Sequence, residues 1–167
     1  VSSTTVLRSA NEAPEARGGI DLVLDIASAA ARFGLAFMWI YSGYTKLGAH
    51  LDVTKSIEAY EIFTPYWSDL LARVIGPLEI AGGLLLLLGI KLRWAGGVSI
   101  AVLAAFIVGL YSAYSRGLTI DCGCFNPGGS GDAQPGELLR AIVRDFGLIA
   151  VTAFMMWRPF RKYALYP

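Results

Sequence analysis

Apolar residues in this chain fall into long blocks and not into a mixed pattern. A bilayer core of about 30 Å requires about 20 mostly apolar residues in a helix, and four segments satisfy that requirement. The first runs from about Ile26 to Leu47, "IASAAARFGLAFMWIYSGYTKL"; the second from about Leu70 to Ile90. The third follows a tight turn and covers about Trp94 to Tyr114, and the fourth covers about Leu138 to Trp157. Ser, Gly and Ala recur within them, the residue types that let helices approach closely in lipid. The pattern therefore predicts an all-α, polytopic membrane protein: a four-transmembrane-helix bundle occupying residues 21–160. Residues 1–20 are polar and lack an apolar h-region, so they read as a mobile tail and not a secretory signal peptide. Residues 161–167 form a short C-terminal tail.

Between the first two spans, residues 48–69 place Val53, Ile57, Tyr60 and Phe63 at roughly helical spacing, ahead of Pro65, which should stop such a helix. Tyr60, Tyr66 and Trp67 are types that favour the headgroup zone. A short interfacial helix across the mouth of the bundle is the expectation, with an aromatic surface loop as the alternative.

Composition agrees with a membrane location. The chain is 55% hydrophobic and 16% charged, against about a quarter charged in soluble domains, with a mean hydropathy of +0.54. A net charge of +1 with no basic tract gives no footprint for nucleic acid. Charge placement sets a direction. The turn "KLRW" carries Lys91 and Arg93 without an acid, and the exit after the fourth span carries Arg158, Arg161 and Lys162, again without an acid. Arg8 and Arg17 precede the first span. The positive-inside rule then predicts both termini on the cytoplasmic side and the loop after the third span outside.

That outer loop, "DCGCFNPGGSGDAQPGE", holds the chain's two cysteines, Cys122 and Cys124. An oxidising compartment permits a disulfide there. Four uses compete. A structural zinc site needs four ligands, so two thiols would have to recruit His50 and an Asp. A static disulfide is feasible because Gly123 frees the backbone, but so small a ring gains little loop-closure entropy. A redox dithiol suits a strained and reducible bond. Idle thiols are the fourth. Asp121 disfavours a neighbouring thiolate, whereas Arg116 and the start of the fourth span favour one.

Ionisable residues inside the spans form the second group of candidates. Glu79 lies some 14 Å into the second span, and Arg32 about 9 Å into the first from the opposite side. Arg144 and Asp145 fall in the outer half of the fourth. Charges at such depth should face the bundle and pair. Arg32 or Arg144 is the expected partner of Glu79, which would otherwise stay protonated.

In order along the chain, "RFGLAFMWIYSGYTKL", "GPLEIAGGLLLLLG" and "SRGLTIDCGCF" resemble the MauE/DoxX family of bacterial membrane proteins over about residues 30–157. Arg32, Lys46 and Glu79 fit the family pattern, and Asn126 departs from it where a further glycine is expected. The resemblance implies a four-helix protein of the bacterial cytoplasmic membrane linked to thiol redox or respiratory chemistry. Its partners would be an extracytoplasmic thioredoxin-like or disulfide-rich protein, and a larger respiratory or stress-defence complex is a further candidate. It does not establish an enzyme. Quinone-linked disulfide-generating proteins relay electrons through two cysteine pairs, and this chain has one. Either a partner protein or a direct quinone contact would be needed, and no cofactor follows firmly. The alternative is a non-catalytic accessory subunit in which the cysteine loop is a docking element.

Overall fold

A computed structural model of the chain describes residues 19–118, 120, 135–159 and 165. Five helices make up the described residues: α1 (Gly19–Leu47), α2 (His50–Glu58), α3 (Pro65–Leu88), α4 (Leu92–Ser115) and α5 (Pro135–Trp157). Three of them, α1, α3 and α4, are long and apolar enough to cross a membrane. α5 is 23 residues long and carries Glu137, Arg140, Arg144 and Asp145, so it is less apolar than the other three.

The short helix before Pro65 is present, but the proline works differently from the expectation. Pro65 is the first residue of α3, where its fixed φ suits the helix and its missing N–H was unpartnered anyway. α3 consequently begins ahead of the Leu70 expected from hydropathy, and takes in Tyr66 and Trp67. α2 ends at Glu58, before Tyr60, and buries Val53.

The long helices form two antiparallel pairs. α1 packs along α3 through glycines: a Cβ on Gly43 would sit 2.5 Å from the Gly76 carbonyl oxygen, and one on Gly83 would sit 2.8 Å from the Ala36 carbonyl oxygen. No side chain fits in those gaps, so the backbones themselves meet. α4 packs along α5 differently, with the side chains of Met155 and Met156 filling the space over Gly96.

At one end of the bundle, here the turn end, Gly89 closes α3 in the left-handed conformation. The Ile90 N–H donates to the Leu85 carbonyl and Lys91 is the N-cap residue of α4. Asp21 and Asp25 of α1 bond the Arg158 guanidinium at this end, and Ser28 donates to the Arg158 carbonyl. The Asp21 contact, ahead of that with Asp25, holds the Arg158 pKa above its ordinary value. Leu165 N–H donates to the Leu88 carbonyl at 2.9 Å, so the start of α1 and the C-terminal segment share the turn end. α2 lies at the opposite, loop end, where Arg116 at the close of α4 donates to the Tyr60 carbonyl.

The apolar core is divided. One cluster, with Leu35, Trp39, Leu86, Leu103 and Met155, fills the half nearer the turn. The other, with Leu110, Ala113, Leu138 and Ala141, fills the loop end under Tyr60 and Ile120. Between them lies a layer of charges.

Candidate functional site: a buried charge layer

Lys46 and Ser42 stand one helical turn apart on α1, so both project toward α3. Lys46 is 4% exposed. Its Nζ donates to Glu79 Oε1 at 2.8 Å, to Glu79 Oε2 at 2.7 Å and to Ser42 Oγ at 2.7 Å. All three ammonium protons thus have an acceptor, the condition under which a buried charge pair is tolerated.

The expected partners of Glu79 do different work. Arg32 is buried, and donates from Nε to the Leu86 carbonyl at 2.9 Å and from Nη2 to the Leu87 carbonyl at 2.8 Å. Those carbonyls belong to the last turn of α3, where the Leu86 carbonyl also accepts from the Gly89 N–H, so Arg32 adds to the cap of that helix and meets the negative end of its dipole. The antiparallel register explains the exchange. Arg32 stands opposite Leu86, about 10 Å along α3 from Glu79, whereas Lys46 leans back toward the α1 N-terminus and reaches it. Arg144 is turned to its neighbour: Nε and Nη2 reach Asp145 Oδ1 at 2.9 and 2.8 Å. Asp145 is 1% exposed.

The two ion pairs meet at one small cavity of about 20 Å³, lined by Ser42, Lys46, Glu79, Arg144 and Asp145 with Trp39 on one wall. It has room for one water molecule. Pairing makes the layer near neutral, so it does not attract an anionic or cationic substrate; it can orient a water or pass a proton between carboxylates. Ser42 and Trp39 are not signalled as site residues by type. The four-residue spacing of Ser42 and Lys46 is the sequence feature that could have found the serine.

Asp121, Cys122, Gly123 and Cys124 lie outside the described residues. The flanking residues, Ile120 and the start of α5, belong to the loop end. No group of His, Cys, Asp and Glu able to hold a metal occurs among the described residues.

The sequence matches the family described as Methylamine utilisation protein MauE over residues 24–158, most of the chain. The protein belongs to the MauE family. The matched stretch runs from α1 to Arg158 and contains the charge layer, the Arg32 cap and the DCGCF segment together. The MauE half of the MauE/DoxX resemblance is thereby established. Neither the curated proteins nor the solved structures compared with the chain give a match.

Proposed function

We propose that this MauE-family chain is a membrane accessory protein of methylamine utilisation whose Cys122–Cys124 pair exchanges electrons with an extracytoplasmic thioredoxin-like or disulfide-rich protein. The observation that carries it is the position of both cysteines in one segment between α4 and α5, within the matched stretch. The segment starts from a braced platform: Arg116 holds the α4 terminus to Tyr60, and lies 3.7 Å from Glu61. Thiolate attack on a disulfide gives a mixed disulfide, which the second thiol resolves. Two electrons and two protons change hands: one protein's dithiol is oxidised to its disulfide as the other's disulfide is reduced to the dithiol.

The topology that serves this chemistry has four spans, with α5 crossing beside α4. The two pack antiparallel from Gly96 against Met156 to Ala113 beside Leu138, and the charges of α5 nearest mid-depth pair with each other. Lys91, Arg93 and Arg158 at the turn end favour the cytoplasmic side of a bacterial membrane for it, with α2 and the thiols outside.

A second reading, a non-catalytic subunit of a respiratory or stress-defence complex, is favoured by the Lys46–Glu79 and Arg32 contacts, which tie α1 to α3 and serve packing as well as chemistry. The double variant Cys122→Ser/Cys124→Ser separates the two. Redox exchange predicts that the variant inserts at wild-type levels but fails to support growth on methylamine. Normal growth with the double variant contradicts the redox reading and leaves the subunit reading standing.

A further inference from the structure

The two ion pairs of the charge layer differ in how firmly they are closed. Lys46 and Glu79 are both sealed, with side chains 4% and 5% exposed, and they stand on two helices that meet backbone to backbone. Arg144 and Asp145 are unequal: the Asp145 side chain is 2% exposed and the Arg144 side chain 32%. They are also chain neighbours, and adjacent residues of a helix do not face each other. Arg144 therefore reaches Asp145 by folding back around α5. Its Nε and Nη2 both donate to Oδ1, and no hydrogen bond reaches Oδ2 among the described residues. Asp145 also lines the one-water cavity.

Arg144 has a way out and Asp145 has none. Helix side chains lean toward the N-terminus, and α5 starts at the loop end, where Leu138 clusters with Ala113 from the last turn of α4. Arg144 lies about 9 Å along α5 from Leu138, within reach of an arginine that extends its head toward the loop-end surface. Asp145 would then be an unpaired anion in the bundle interior, a state that burial disfavours and a proton removes.

We propose that Asp145 is a proton-binding site with Arg144 as its movable counter-ion. A proton arriving from water at the loop end converts the carboxylate to the neutral acid, while Arg144 keeps its charge and extends toward that surface. Loss of the proton draws the guanidinium back onto Oδ1. The groups around Asp145 suit one such exchange. α1 presents Lys46, whose protons are held by Ser42 and Glu79, and α3 presents Glu79, held in turn by Lys46. α5 presents Arg144, and α4 presents the apolar Leu103 and Phe106. Tyr60, from the connection after α2, packs on the loop-end cluster. The cluster around Leu35, Leu86 and Met155 fills the bundle toward the turn end, so the proton enters and leaves on the loop side. Cys122 and Cys124 have no part in the exchange, so proton binding and thiol chemistry can fail separately.

Infrared spectroscopy of the full-length protein in lipid vesicles reads the neutral acid directly, through its carboxyl C=O stretch. Aspartate isotope-labelled at the carboxyl carbon separates the Asp bands from those of Glu. Exposed aspartates titrate near about pH 3.9, so between about pH 5 and about pH 9 a labelled acid band belongs to a buried group. The wild type should gain one such band as the pH falls through that window and lose it as the pH rises. Asp145→Asn, which keeps the side chain's shape, should lack the band. Arg144→Gln removes the counter-ion and should hold the band at every pH in the window, and Arg144→Lys should bring the titration back. The labelled wild type decides the matter even where a variant fails to insert. Absence of a labelled band from the wild type throughout the window overturns the proposal. So does a band that survives in Asp145→Asn, or a titration that Arg144→Gln leaves where it was.

Discussion

Lys46 Nζ sits 2.8 and 2.7 Å from the two carboxylate oxygens of Glu79, and both side chains are almost completely buried. Each charge is the other's solvation. Removing one partner strands the other in hydrocarbon, at a cost of about 3–5 kcal/mol for a buried pair. Lys46→Met or Glu79→Leu alone should therefore reduce insertion and thermal stability sharply. The double variant, which buries no charge, should recover most of the loss. Melting of the purified proteins checks this, and additive losses in the double variant would show that the two residues act independently.

Arg32 supports a different prediction. Its contacts are with the Leu86 and Leu87 carbonyls, so its role is to end α3. Arg32→Leu should fray the last turn of α3 and lower stability by about 2–3 kcal/mol, the scale of hydrogen bonds from a charged donor. Hydrogen exchange should show the change at residues 86–91 and leave the amides around Glu79 protected. Faster exchange around Glu79 instead would assign Arg32 to the charge layer.

The glycine contacts of α1 with α3 predict a position-specific response. Gly83→Leu should disrupt the pair, because a Cβ there already meets backbone of α1 at 2.8 Å. Gly34→Leu, on the same pair of helices, should be tolerated, since a Cβ at Gly34 meets nothing within 4 Å. Expression and monodispersity in detergent report both, and equal tolerance would mean that the helices do not approach as closely as described.

Much of this architecture was legible in the sequence, for physical reasons that differ by element. α1, α3 and α4 are read directly from apolar runs, because lipid requires them. Val53 and Ile57 mark α2 by spacing. Pro65 reads as the end of one helix and is the start of the next: the ring forbids a helix interior but suits position N1, and sequence alone does not tell the two sides apart. The pairing rule for buried charges foresaw that Glu79 would face a cation. It could not choose Lys46 over Arg32, because that choice depends on the α1–α3 register, set by where Gly43 and Gly76 touch.

Orientation is tested by labelling. Lys91 and Arg93 in the acid-free turn between α3 and α4 predict that a membrane-impermeant maleimide, applied to intact cells after mild reduction, reaches Cys122 and Cys124. A cysteine introduced at Arg93→Cys should be labelled only after permeabilisation, with the native pair replaced by serine. The reverse pattern would turn the molecule over and remove the thiols from an oxidising compartment.

The thiol pair itself is tested most directly by trapping. Exchange through a mixed disulfide requires one cysteine to attack and the other to resolve. With Cys122→Ser and Cys124→Ser made separately, cells are quenched in acid, alkylated and run on non-reducing gels. Cys124, further from Asp121, is the expected attacking thiol, so Cys122→Ser should accumulate a higher-mass band that reductant removes, and the double variant should show none. A wild-type pair that stays oxidised under every growth condition, with no trapped band from either single variant, would contradict the redox account.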